Sequence, residues 1–184
     1  KNYFNKYREK DELPPLISSE LSGKLQNPFQ EKYFYQYNDK YGFYGKLDEC
    51  LIEPNGLYTP IDFKTTSSDP SKKEILSAYQ HQMDEYVFLL QQNRLNTSGY
   101  GYLIFFFPDM CETVHDGFPM VIKIHKVIAK PEEVVGRINK AIEVLEHDIP
   151  ESNPECPFCN WMQVANGFYE LDKGKITSLE MAEE

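Results

Sequence analysis

Residues 44–64 read YGKLDECLIEPNGLYTPIDFK, two runs of strand formers around Pro54-Asn55-Gly56. Gly56 suits the left-handed position of a three-residue hairpin loop. That loop pairs Glu53 with Leu57, and counting back sets Asp48 opposite Asp62 and Lys46 opposite Lys64. Side chains alternate faces along a strand. Lys46, Asp48, Asp62 and Lys64 therefore share one face, and Leu47, Leu51, Leu57, Ile61 and Phe63 take the other. A two-residue Asn-Gly loop, also a favoured hairpin, shifts the register by one and sends Asp48 and Asp62 to opposite faces. The segregation of apolar residues favours the three-residue loop.

Two carboxylates so close are costly unless a cation lies between them. Their oxygens suit magnesium or manganese, which bind through one or two carboxylates while water and substrate phosphate complete the shell. Such an ion lowers the pKa of a water and stabilises charge on a scissile phosphate. Lys64 is then placed to orient or deprotonate that water, or to neutralise the developing charge. The plain alternative is a cross-strand charge ladder in which Lys46 and Lys64 pair with Asp48 and Asp62.

The following segment bears on that choice. Asp69-Pro70 reads as a cap and first turn, and a helix is expected through SKKEILSAYQHQMDEYVFLLQQNR, residues 71–94. Ile75, Tyr79, Met83, Tyr86, Val87 and Leu90 form its apolar stripe. Gln82 and Tyr86, four apart, lie on one face close to that stripe. An amide there needs hydrogen-bond partners; read alone, Gln82 merely edges the core.

Together, Gly45-Lys46-Leu47-Asp48, Asp62-Phe63-Lys64-Thr65 and Gln82-x-x-x-Tyr86 resemble successive motifs of the PD-(D/E)XK nuclease superfamily. The likeness is to its RecB-like branch, which includes nuclease domains of recombination helicases and the CRISPR adaptation exonucleases. The matching block covers residues 33–107. The resemblance implies a restriction-endonuclease-like core and a metal-dependent DNA nuclease, of exonuclease type. It implies Asp48 and Asp62 as metal ligands joined by the Phe63 carbonyl, and Lys64 as the catalytic lysine. Gln82 and Tyr86 become the helix motif that supports the lysine and contacts DNA. DNA is the implied partner, with protein partners in a recombination, repair or mobile-element complex. The rival expectation is a catalytically silent module of the same fold that binds nucleic acid or protein.

The chain departs from that pattern in three ways. Members of the branch usually carry an upstream His or Glu as a further metal ligand, but no histidine precedes His81. Glu20 is the first candidate, with Glu12 and Glu31 competing. Relatives often hold a four-iron cluster on four cysteines, whereas only Cys156 and Cys159 match that set. An iron–sulfur cluster is therefore not expected, and the pair reads as a remnant with free thiols; Cys50 and Cys111 lie elsewhere. Finally, the formal net charge is −10, the wrong sign for a protein that coats nucleic acid. Basic residues do gather at Lys1, Lys6, Arg8 and Lys10 and at Lys72 and Lys73, where they could track phosphates.

The remaining elements fit an α/β fold with a mixed central sheet flanked by helices. A short helix is expected to about residue 8, strands at 31–37, 100–107 and 120–128, and a helix over 131–147. The 184 residues read as one nuclease-like domain, 1–170, and an acidic tail, 171–184. The 13 Tyr and 12 Phe are expected mostly in the core or on half-buried strands rather than as base-stacking platforms. His81, His115, His125 and His147 have no metal-ligand spacing. No signal peptide or membrane span is read, and four unevenly spaced cysteines fit a reducing, cytoplasmic compartment.

Overall fold

In chain order the protein forms helices α1 (Asn2–Arg8) and α2 (Pro15–Ser18), then strands β1 (Lys24–Leu25), β2 (Lys32–Gln36), β3 (Gly42–Lys46), β4 (Glu49–Ile52) and β5 (Tyr58–Thr65). Helix α3 (Ser77–Gln92), strands β6 (Tyr100–Pro108) and β7 (Met120–Ile128), and helix α4 (Val134–Glu146) follow. The computed structural model describes residues 2–72, 75–109, 117, 119–148 and 150–165. Five strands make one sheet in the order β1-β4-β5-β6-β7, and β2 and β3 make a separate hairpin. Only β5 and β6 run parallel within the five-stranded sheet. Helix α3 connects them, as a parallel pair requires a crossover.

Alternation along β5 and β6 separates two apolar layers. Ile61 and Ile104 point to the side where Phe4 of α1, Ile17 of α2, Leu21 and Leu25 complete a buried cluster with Leu51. The opposite face receives α3: Tyr79 packs on Phe105, with ring centroids 6.1 Å apart. A Cβ added to Gly101 would lie 2.5 Å from the Met83 sulfur. The result is an α/β fold with a mixed central sheet between helices, the class expected from the sequence.

The turn at Pro54-Asn55-Gly56 is the three-residue one. Glu53 and Leu57 close it through Glu53 N–H to Leu57 O (2.9 Å), and Gly56, at φ 82°, donates to Glu53 O (2.8 Å). Glu49 pairs with Ile61 and Ile52 with Tyr58; one step beyond the last pair, Asp48 faces Asp62. Lys46, however, does not face Lys64. The strand expected to run through it breaks, because Lys46 pairs with Lys32 in the small hairpin and β4 begins only at Glu49. Between them the Leu47 N–H bonds to Glu31 O at 2.8 Å, and its side chain is fully buried. The Lys46 ammonium consequently lies 3.4 Å from Glu31, away from the expected ladder.

The expected helix over 71–94 also starts late. Asp69 accepts the Ser71 N–H (2.8 Å) and caps only a 3₁₀ turn, Pro70–Lys72. That side-chain bond offers the backbone an alternative to the α-helix. Leu76 at ψ 139° is extended, so α3 begins at Ser77 and Ile75 falls outside it. The Ser71 N–H, with Lys123 2.9 Å away, holds the Asp69 carboxyl well below its ordinary range.

Arg8 is not free to meet phosphate, contrary to expectation. It is buried, 2.6 Å from Glu49 Oε2, donates to the Gln26 carbonyl and stacks 4.8 Å from the Phe29 ring centroid. This ion pair ties α1 to β4.

The chain divides into two compact units, Lys1–Lys140 and Ala141–Glu184. In the second, residues 157–165 are helical and Cys156 and Cys159 are free, half-buried thiols. The Cys159 backbone N–H and side chain hold the Cys156 thiol below its usual pKa. Cys111, His115 and the acidic tail 171–184 lie outside the described residues. Among those described, no helix is long and apolar enough to cross a membrane.

Removing one partner of a buried ion pair leaves an uncompensated charge, so Arg8→Ala is expected to cost about 3–5 kcal/mol in urea denaturation. The paired change Arg8→Met with Glu49→Leu is expected to be near neutral. Equal losses in the two variants would show that the pair does not hold α1.

Candidate functional site

The residues singled out by the three motifs meet where β5 leaves the hairpin and α3 crosses above it. Alternation on β5 turns Asp62 and Lys64 to the α3 face, while Ile61 and Phe63 turn to the other. On α3, Gln82 and Tyr86 are one turn apart on the face that meets them. The Gln82 amide uses every polar atom. Its Oε1 accepts from Lys64 Nζ (2.7 Å), and its Nε2 donates to Asp62 Oδ1 (2.9 Å) and to the Tyr86 hydroxyl (2.8 Å). Lysine only donates and carboxylate only accepts, so this network permits one amide orientation. Tyr86 then donates to the Lys46 carbonyl (3.0 Å), with Asp62 Oδ1 a further 3.4 Å contact. The chain entering Asp48 is thereby fixed to α3.

Asp62 is 2% exposed, and this burial decides its electrostatics. Desolvation pushes its carboxyl above the ordinary range; Lys64, 2.6 Å from Oδ2, draws it back, and the charge of Asp48 pushes it up again. Burial and then the charge of Asp62 likewise raise the Tyr86 hydroxyl. Although the Lys64 ammonium is close to Asp62 Oδ2, it is out of line for a hydrogen bond, so this buried oxygen has no aligned donor. The other face of Lys64 lies over the Tyr79 ring, 4.7 Å from its centroid.

Asp48 is held differently. Its Oδ2 accepts the Phe63 backbone N–H at 3.1 Å. The N–H and C=O of one strand residue point to the same edge, so the Phe63 carbonyl is directed to the Asp48 side. Two carboxylates, a carbonyl on the same edge and a buried oxygen without an aligned donor are a donor set that fits magnesium or manganese. Lys64 supplies the positive charge beside Asp62 in the structure described.

Glu20 is not brought to this place. It lies exposed in the turn after α2, and Glu12 is exposed as well. Among the described residues no three His, Cys, Asp or Glu side chains form a group able to hold a metal ion. Glu31 does share a cleft of about 400 Å³ with Asp48, and Glu9, in the turn just after α1, lines the same cleft. Glu9 escaped the sequence reading because no spacing connects residue 9 to residue 48. Tyr79 was legible only as an apolar stripe position; its place three residues before Gln82, on the same face, is the signal that puts it under Lys64.

No family model matches the chain, and no curated protein matches it. It is similar to the solved crystal structure of SSO0001, at 20% identity and a TM-score of 0.46, over 71% of this chain and 56% of that one.

The raised Asp62 carboxyl has a signed consequence. The fold favours its protonated form, so this stabilising contribution is complete below the unfolded pKa, near pH 4, and is lost as pH rises through the folded value. Asp62→Asn is therefore expected to gain stability relative to the parent over the interval in which pH is raised from about 4 through the folded value, when melted in EDTA. A relative loss over that interval would show that the ion pair with Lys64, not burial, governs Asp62.

Proposed function

We propose that this chain is a magnesium- or manganese-dependent DNA nuclease of exonuclease type, in the RecB-like branch of the PD-(D/E)XK superfamily. The observation that carries the reading is the Gln82 amide, which joins Lys64, Asp62 and Tyr86 in one hydrogen-bonded unit. With Tyr86 also donating to the Lys46 carbonyl, residues of all three motifs come together in one small volume. A cross-strand charge ladder needs no such amide, and it needs Lys46, which pairs with Glu31 instead.

Asp48, Asp62 and the Phe63 carbonyl would hold the divalent ion. Bound there, the ion would supply Lewis acidity toward a phosphodiester and a water of lowered pKa. The protein's own groups account for the rest. Gln82 keeps the Lys64 ammonium directed at the Asp62 edge, so a positive charge is preorganised where negative charge develops on a phosphate. Tyr79 covers the ammonium on its far side. Tyr86 fixes the Lys46 carbonyl and with it the approach of the chain to Asp48.

Lys64→Ala is expected to slow manganese-dependent degradation of end-labelled DNA on the order of 10²–10³-fold, with an unchanged circular dichroism spectrum. Asp48→Asn is expected to lose cleavage together with the melting-temperature gain that manganese gives the parent protein. Equal cleavage by the parent and Lys64→Ala proteins would refute the mechanism. A parent protein that binds DNA but leaves it intact with either metal would favour the silent module.

A further inference from the structure

The β2–β3 hairpin has two unlike faces. Its inner face is anchored on α3: Tyr33 is buried, and Tyr35 meets Phe88 edge-on with centroids 5.0 Å apart. A Cβ added to Gly45 would lie 2.5 Å from Leu89 Cδ1, so β3 lies close against the helix. The outer face carries the register pairs Lys32–Lys46, Phe34–Tyr44 and Gln36–Gly42, and all six residues are exposed. Phe34 is 52% exposed and Tyr44 67%. The Phe34 ring lies across Gly42, which explains one aromatic as a cover for a bare backbone. Tyr44 covers nothing comparable.

Charge and position give this face a meaning. In a chain of net charge −10 it bears no acidic residue, and it sets two lysines directly opposite each other. Like charges in that register repel, and Glu31, 3.4 Å from Lys46, answers one of the two. Lys46 is also continuous with the candidate site: it is two residues from Asp48, and its ion-pair partner Glu31 lines the cleft that Asp48 lines. Exposed aromatic rings with flanking cations suit single-stranded nucleic acid, whose bases stack while its phosphates meet ammonium groups.

We propose that the outer face of the hairpin is a platform for single-stranded nucleic acid, with bases stacked on Phe34 and Tyr44 and phosphates beside Lys32 and Lys46. The strand it holds leads into the cleft at Asp48, a destination that rests on the nuclease reading. The platform supplies what the net charge withholds, a local anion-accepting surface at the entrance to an acidic site.

Binding of a fluorescein-labelled oligothymidylate, followed by anisotropy on the full chain in EDTA, tests the platform without cleavage. Tyr44→Ala and Lys32→Glu are each expected to weaken binding about ten-fold, and Tyr44→Phe to retain it. Lys32→Gln is expected to reduce the slope of log affinity against log salt by about 0.7. None of these changes touches Asp48, Asp62 or Lys64. Parent-level binding by Tyr44→Ala and Lys32→Glu would overturn the proposal, as would a parent protein that does not bind. A Tyr44→Ala variant whose only change is loss of self-association in sedimentation would overturn it in favour of a dimer face. If the binding pattern holds while the parent fails to cleave, the platform stands and the nuclease reading falls. If cleavage depends on Lys64 while binding ignores the hairpin variants, the reverse follows.

Discussion

The hydrogen bonds of one side-chain amide connect the strand of the candidate site to its helix. Gln82 accepts from Lys64 and donates to Asp62, two residues on the same face of β5, and it donates again to Tyr86 one turn further along α3. Without those bonds a buried carboxylate and a lysine would be left with each other, a 3.4 Å contact to the Tyr86 hydroxyl and the Tyr79 ring, an arrangement whose desolvation is hard to offset. With them, strand, helix and the Lys46 carbonyl share one polar network. Such networks confer a single geometry because each member has only one way to be satisfied.

Around that network the two faces of the sheet divide the work. The α1–α2 side is apolar cluster, with Phe4, Ile17 and Leu25 against Ile61 and Ile104. The α3 side is mixed, and most of its buried polar atoms are answered. Asp84, for example, accepts from Gln80, the Lys130 N–H and Arg137. Asp62 is an exception it shares with the Arg137 Nε: one of its buried oxygens has an ion-pair neighbour and no aligned donor. An incompletely satisfied atom at the meeting point of three motifs is where a ligand has most to contribute.

Much of this was readable in advance because it depends on local periodicities. Gly56 after Pro54-Asn55 set the loop length, the loop set the register, and the period of two then placed Asp62 and Lys64 on one face. The period of 3.6 placed Gln82 and Tyr86 together in the same way. Lys46 and Arg8 were misread for a common reason: their partners come from elsewhere in the chain. The split between β3 and β4 is imposed by the packing of the small hairpin on α3, and the burial of Arg8 by Glu49, 41 residues away. The late start of α3 was decided by a competing side-chain bond at Asp69. Glu9 and Glu31 reach the Asp48 cleft through tertiary arrangement alone.

The break at Leu47–Asp48 makes these two residues a joint between sheets. On one side the Leu47 N–H is committed to Glu31 in front of β2; on the other the Asp48 carboxylate is committed to the Phe63 N–H of β5. The separate hairpin and the central sheet are thus fastened to each other by two consecutive residues, one of them a candidate ligand. Placement of Asp48 and attachment of the hairpin are a single mechanical property of the fold. Loosening of the small sheet would be felt first as slack in a carboxylate.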